Sequence, residues 1–153
     1  MTSTVCLSPV SGEIIGLENV KDPVFAAGTL GDGIAIRPVE NTVSAPLGGT
    51  LKVMFHTGHA FVIESEDGQE VMVHVGIDTV KYKGEGFEVL KAQGDRVKPG
   101  EVIVRFDKRY LKAADMTTMV ILMDEKRGKR LKKTQAADCV RGKDIILEWQ
   151  IQN

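Results

Sequence analysis

H-A-F-V-I-E-S-E-D-G-Q-E-V-M-V-H-V-G-I-D-T-V, residues 59–80, decides how this chain folds and where its chemistry lies. Two runs rich in β-branched and aromatic residues flank Asp67-Gly68, a dipeptide favoured in two-residue hairpin turns. A type I′ turn at that point sets Phe61 opposite His74 and His59 opposite Gly76. On this register His59, Phe61, Met72 and His74 share one face, because side chains two apart on a strand point the same way. Val71, Val73 and Val75 face the other way, as a core-facing set should. His59 and His74 become diagonal neighbours, about 7–8 Å apart at the backbone and near enough for their rings to meet. Gly76 leaves no side chain between them.

The chain has three histidines, His56, His59 and His74, all within this region. An imidazole titrates near neutrality, so it can act as nucleophile, proton carrier or metal ligand. Thr57-Gly58 interrupts the strand after His56, which is expected to be an exposed strand-end residue. Two converging imidazoles have two chemical uses: a phosphorylated histidine with a helper, or two ligands of a zinc ion. The residues alone leave both open.

Outward from the hairpin, sixteen glycines punctuate short apolar segments. Strands are predicted at 5–7, 12–17, 33–37, 42–45, 50–56, 60–65, 70–75, 101–106, 119–123 and 145–151. Turn signals at this spacing predict an all-β chain, a compact antiparallel β-sandwich or barrel-like domain with one or two short helices. K-R-Y-L-K-A-A-D-M, residues 108–116, is the best helical stretch, made of good helix formers without Gly or Pro. No linker divides the chain, so residues 1–153 form one domain with its core at about 5–151. G-D-R-V-K-P-G-E-V-I-V echoes A-P-L-G-G-T-L-K-V-M-F as a glycine turn followed by a strand, a faint sign of duplicated hairpins.

A formal net charge of -1 gives no general attraction to nucleic acid. No apolar run approaches the roughly 18 residues that span a bilayer, and the N-terminus lacks the pattern of a signal peptide. Cys6 and Cys139 are too few for a disulfide framework and point to a reducing, cytoplasmic setting, with both thiols buried as small apolar side chains.

The 59–80 segment, together with Gly58, resembles the signature of the glucose family of enzyme IIA domains, phosphocarriers of the bacterial phosphoenolpyruvate-dependent sugar phosphotransferase system. Collinear matches follow in S-P-V-S-G-E-I-I (8–15), V-F-A-A-G-T-L-G-D-G-I-A-I-R-P (24–38), A-P-L-G-G-T (45–50), K-G-E-G-F (83–87) and G-D-R-V-K-P-G-E-V-I-V-R-F-D (94–107). The resemblance implies a β-sandwich that relays a phosphoryl group from a phosphohistidine on HPr to a cysteine on enzyme IIB of a IIB/IIC permease. It implies that His74 is the phosphorylated nucleophile, attacking through Nε2, that His59 stabilises the phosphoryl group, and that Thr57 orients His59. It implies that Asp22 and Asp78 receive basic side chains of the partner, inside an apolar rim of Val24, Leu30, Phe55 and Met72. The last position is often aromatic in relatives, so Met72 is a departure. Family members also regulate other proteins through their phosphorylation state.

The resemblance weakens in the last third, where six basic residues fall among the eight from Lys126 to Lys133. That run reads as a solvated face. Cys139 lacks the surroundings of a IIB phosphocysteine. No cofactor is required by the relay, although His59 and His74 remain a candidate zinc pair. The alternative function is a zinc hydrolase of related β fold. It is disfavoured because such enzymes need a third protein ligand, and no His-x-His pair occurs.

Overall fold

Strands β6 (Ala60–Glu64) and β7 (Glu70–Val75) pair antiparallel in the computed structural model of the chain, which describes residues 2–123 and 131–151. Their turn differs from the predicted one. Ser65 N–H donates to Gln69 O at 2.8 Å and Gly68 N–H to Ser65 O at 3.0 Å, with Gly68 at φ +83°. Glu66, Asp67 and Gly68 thus form a three-residue loop closed by a left-handed glycine, the next commonest hairpin connection. Ser65 selects it: its hydroxyl donates to Asp67 Oδ1 at 2.8 Å and accepts from Gln69 N–H at 3.1 Å.

The longer loop moves the register by one residue. Ala60, not Phe61, lies opposite His74, Phe61 opposite Val73, and Val62 opposite Met72. Directly opposed residues share a face. Phe61 therefore joins Val71, Val73 and Val75 in the main core, and Ala60 and Val62 are the neighbours of His74 and Met72. The valine set keeps its predicted face because alternation within β7 does not depend on register.

The hairpin lies inside an eight-stranded sheet. Its order is β13 (Asp138–Cys139), β2 (Gly12–Gly16), β3 (Asp32–Pro38), β11 (Thr118–Leu122), β7, β6, β5 (Gly49–Met54), β9 (Arg96–Val97). One three-stranded sheet is β1 (Thr2–Leu7), β14 (Ile145–Ile151), β12 (Lys132–Lys133); the other is β4 (Thr42–Ser44), β10 (Val102–Phe106), β8 (Phe87–Val89). Neighbouring strands in all three run antiparallel. Each predicted strand is present, with shifts only at the ends. The unforeseen β8, β9, β12 and β13 have two or three residues, too few for alternation to show.

Two apolar clusters follow from the layering. The main core joins Phe61, Ile63, Val71, Val73 and Val75 of the large sheet to Val43, Ile103, Phe106, Ile146 and Trp149 of the small sheets. On the other face of the large sheet, Val62, Met72, Met119 and Ile121 pack under Leu17, Val20 and Phe25. The covering segment holds a 3-10 turn, Leu17–Asn19, and the one-turn helix α1 (Pro23–Ala26). Asp22 starts α1: its Oδ1 accepts Val24 N–H at 2.9 Å, and proline follows at the first helical position. A second 3-10 turn spans Thr79–Tyr82.

The predicted helix at 108–116 is a string of turns. Tyr110 N–H donates to Asp107 O and Leu111 N–H to Lys108 O, each a bond of three-residue span. Asp107 diverts the start by binding the backbone and guanidinium of Arg109. Leu111 and Met116 are the buried residues of the stretch, so no apolar stripe stabilises a helix this short. Cys6 and Cys139 are buried free thiols. Of the basic run, 126–130 lies outside the described residues, and Lys132 and Lys133 are exposed on β12. Among the described residues no helix is long and apolar enough to cross a membrane.

Candidate functional site

Alternation along β7 turns His74 and Met72 toward the outer face of the large sheet, with Ala60 of β6 and Met119 of β11 on either side of His74. The strand stops at Gly76, which takes φ +86°. A Cβ there would lie 2.4 Å from Thr79 Cγ2, so glycine is needed for space as well as for conformation. The turn brings the Gly76 carbonyl back to the ring, where His74 Nδ1 lies 2.8 Å from it. A carbonyl only accepts, so Nδ1 carries the hydrogen, and the neutral ring keeps a free lone pair on Nε2. Burial lowers the pKa of His74, opposed by the Gly76 bond and the charges of Asp22 and Asp78. Phe25 of α1 packs against the ring, 4.9 Å between centroids at 57°.

His59 precedes β6, and its carbonyl accepts Val75 N–H at 2.6 Å. It therefore stands opposite Val75, not Gly76 as predicted. Strict alternation would send it into the main core with Phe61. Gly58, at φ +77°, breaks that alternation. The His59 ring instead meets His74 edge-on, 5.1 Å between centroids and 80° between planes. The predicted convergence of the two rings is present, reached through a glycine break rather than a diagonal contact. Thr57 Oγ1 lies 2.5 Å from His59 Nδ1, and Phe55 packs edge-on at 5.1 Å. His59 is 4% exposed. Burial, then repulsion from His74 and His56, lowers its pKa to about 4.

Asp22 and Asp78 flank this pair, near enough to act on the His74 charge. Asp78 is exposed in a left-handed conformation at φ +55°, and Asp22 is half-buried. Val24 and Phe55 are exposed, and Leu30 is half-buried. Met72 differs from its expected place on the rim: it is buried in the outer cluster with Phe25, because β7 is an interior strand roofed by α1. His56 is exposed, as expected. Sequence reasoning missed Phe25, whose signal was Asp22-Pro23, a helix start that aims the next apolar residues inward. It also took Gly76 as a spacer and missed its carbonyl.

Among the described residues no group of three or more His, Cys, Asp or Glu is arranged to hold a metal ion. The imidazole pair offers two ligands where catalytic zinc takes three from the protein. The arrangement is an imidazole held in one tautomer, with a second buried ring at its edge.

The chain matches over residues 4–128 the family described as phosphoenolpyruvate-dependent sugar phosphotransferase system, EIIA 1. It is 41% identical over 146 residues to the PTS system glucose-specific EIIA component of Buchnera aphidicola, covering 94% of this chain and 90% of that protein. It is 36% identical over 144 residues to the PTS system glucose-specific EIICBA component of Staphylococcus carnosus, covering 94% of this chain and 21% of that longer protein. The structure of glucose permease IIA from Mycoplasma capricolum superposes with a TM-score of 0.88 at 32% identity, covering 97% of this chain and 96% of that one. Neither the site nor these relatives support the zinc-hydrolase alternative.

Proposed function

The chain belongs to the EIIA 1 family of the phosphoenolpyruvate-dependent sugar phosphotransferase system, a phosphocarrier family, and we propose that it carries the phosphoryl group on His74 Nε2. The observation that carries this reading is the His74 Nδ1–Gly76 O bond, which leaves Nε2 as the free nucleophile beside His59. The lone pair of Nε2 attacks phosphorus of a phosphohistidine on HPr. The new N–P bond forms as the old one breaks, and the donor imidazole leaves. In the second step a cysteine thiolate of enzyme IIB attacks, the His74 N–P bond breaks, and the neutral ring is restored. Phosphoryl transfer leaves little covalent work to the protein, so positioning and charge stabilisation dominate.

His59 donates through Nε2–H to a phosphoryl oxygen. In that tautomer its Nδ1 accepts the Thr57 hydroxyl. Asp22 and Asp78 would repel a phosphate placed on them, so they act at the edge, steering a basic partner and fixing its orientation. Val24, Phe55 and Leu30 supply apolar contact, while Met72 acts from beneath as a wall. The EIICBA architecture of the S. carnosus relative supports a IIB/IIC permease as the receiving partner, and we place the relay in the cytoplasm. The same face lets other proteins read the phosphorylation state. Phosphoryl transfer needs no cofactor. A zinc ion would be held by His59 and His74 and would compete with phosphate for the pair.

Mass spectrometry after incubation with phosphoenolpyruvate, enzyme I and HPr tests the assignment. One phosphoryl group is expected on the peptide that contains His74, and none on the His74→Gln protein. Labelling of His74→Gln to normal yield refutes it.

A further inference from the structure

Beneath Gly76 lies the irregular stretch 115–117, which leads into β11. Gly76 N–H donates to Thr117 O at 3.1 Å, and Ile77 N–H donates to Asp115 O at 2.8 Å. Both peptides that flank the Gly76 carbonyl are thereby fixed from one side. Within the stretch the Thr118 hydroxyl donates to Met116 O at 3.0 Å, and the Asp115 carboxylate ties its two ends together. Asp115 Oδ1 accepts Thr117 N–H at 3.0 Å and the Thr117 hydroxyl at 2.6 Å, closing a side-chain turn. Thr117 is buried and Asp115 is exposed, so the turn is screened from water on its threonine side.

We infer that Asp115 is a positioning residue for His74, acting through the Asp115–Thr117 turn and the Gly76 carbonyl to fix the hydrogen on Nδ1 and leave Nε2 free. This rests on the reading of His74 as the phosphoryl carrier. The chain of contacts is short and continuous: carboxylate, Thr117, the Gly76 and Ile77 amides, the Gly76 carbonyl, the imidazole. The links are hydrogen bonds to acceptor-only oxygens, joined through the covalent backbone at Gly76. The carboxylate does not touch the reacting atoms. Its effect on the reaction is transmitted by geometry: when the turn loosens, the Gly76 peptide can rotate, and the ring loses the acceptor that selects its tautomer. A nucleophile divided between two tautomers and reoriented by a fraction of an ångström is a poorer one.

The test pairs 15N imidazole spectra of His74 with the rate of phosphoryl uptake from phospho-HPr. The wild-type spectrum should show hydrogen on Nδ1 and a bare Nε2. Asp115→Ala should mix the tautomers and slow uptake about tenfold. Asp115→Asn, which keeps an Oδ1 acceptor, should restore both the tautomer and the rate. Thr117→Val removes only the hydroxyl bond and should slow uptake about threefold, which keeps the question decidable if Asp115→Ala fails to fold. Wild-type tautomer and rate in Thr117→Val and in any folded Asp115→Ala protein overturn the inference, as does an Asp115→Asn protein that behaves like the alanine variant. If the wild-type protein never takes phosphate at His74, the carrier reading falls, while the imidazole spectra still decide whether Asp115 sets the tautomer.

Discussion

His59 stands edge-on to His74 with 5.1 Å between ring centroids, and each ring has its Nδ1 engaged by a partner of its own. The two Nε2 atoms are thus the free ends of the pair. Burial disfavours a proton on either ring, and a charge on one repels a charge on the other. In the proposed relay, one ring offers a lone pair and the other an N–H.

Separate roles predict separate failures. His59→Gln should still take phosphate from phospho-HPr, where one imidazole replaces another on phosphorus. It should pass the group on about a hundredfold more slowly, because an approaching thiolate repels the phosphoryl dianion unless a donor offsets the charge. Quench-flow measurement of the two half-reactions checks this, and an equal loss in both would contradict it.

Burial of His59 also links stability to acidity. The unfolded ring protonates near the ordinary value of 6.5, the folded one at about 4. The unfolded state therefore binds the extra proton first as pH falls. The contribution is complete above 6.5, is lost as pH falls toward about 4, and amounts to about 3 kcal/mol at most. Urea unfolding between pH 7 and 4 should show a flatter pH dependence for His59→Gln than for wild type. Phosphoryl uptake should persist below pH 6.5, since the folded pKa of His74 is also lowered.

Substitution separates the cap that Asp22 provides to α1 from the steering proposed for it. Asp22→Asn keeps an acceptor for Val24 N–H but removes the charge, so it should slow transfer from HPr at low salt while leaving the unfolding midpoint unchanged. Asp22→Lys should slow transfer further and cost about 1 kcal/mol through loss of the cap on α1. Asp78→Asn, which tolerates the left-handed backbone, should match Asp22→Asn in rate. Stopped-flow rates that do not depend on charge at low salt would rule out steering.

Gly76→Ala should be damaging in two ways. Alanine at φ +86° is strained by about 1–2 kcal/mol, before the clash of its Cβ with Thr79 Cγ2. The relief of that clash displaces the Gly76 carbonyl from His74. The variant should lose stability in urea and, where folded, take up phosphate far more slowly than its folded fraction explains.

Much of this was legible in the sequence, and the gaps have physical causes. Strands with Val, Ile and Phe between glycine turns announce themselves, and alternation within β7 set the faces of His74 and the valines without any knowledge of pairing. The register was misread because Asp67-Gly68 suits both a two-residue turn and the last two positions of a three-residue loop. The vote was cast by Ser65, whose hydroxyl bonds to Asp67 and Gln69 are local but close the longer loop and not the shorter turn. Residues 108–116 have helical composition but lack an apolar stripe, and composition is the weaker guide. Phe25 and the Gly76 carbonyl escaped because both act through folded geometry: one through a helix that spans a single turn, the other through a backbone atom that every residue has.

The acceptor for His74 Nδ1 comes from the same strand end, two residues along, and owes nothing to a visitor. The orientation of the ring is consequently set at rest by the chain's own backbone. Traffic through such a stepping stone runs in whichever direction the relative abundance of loaded and empty neighbours dictates.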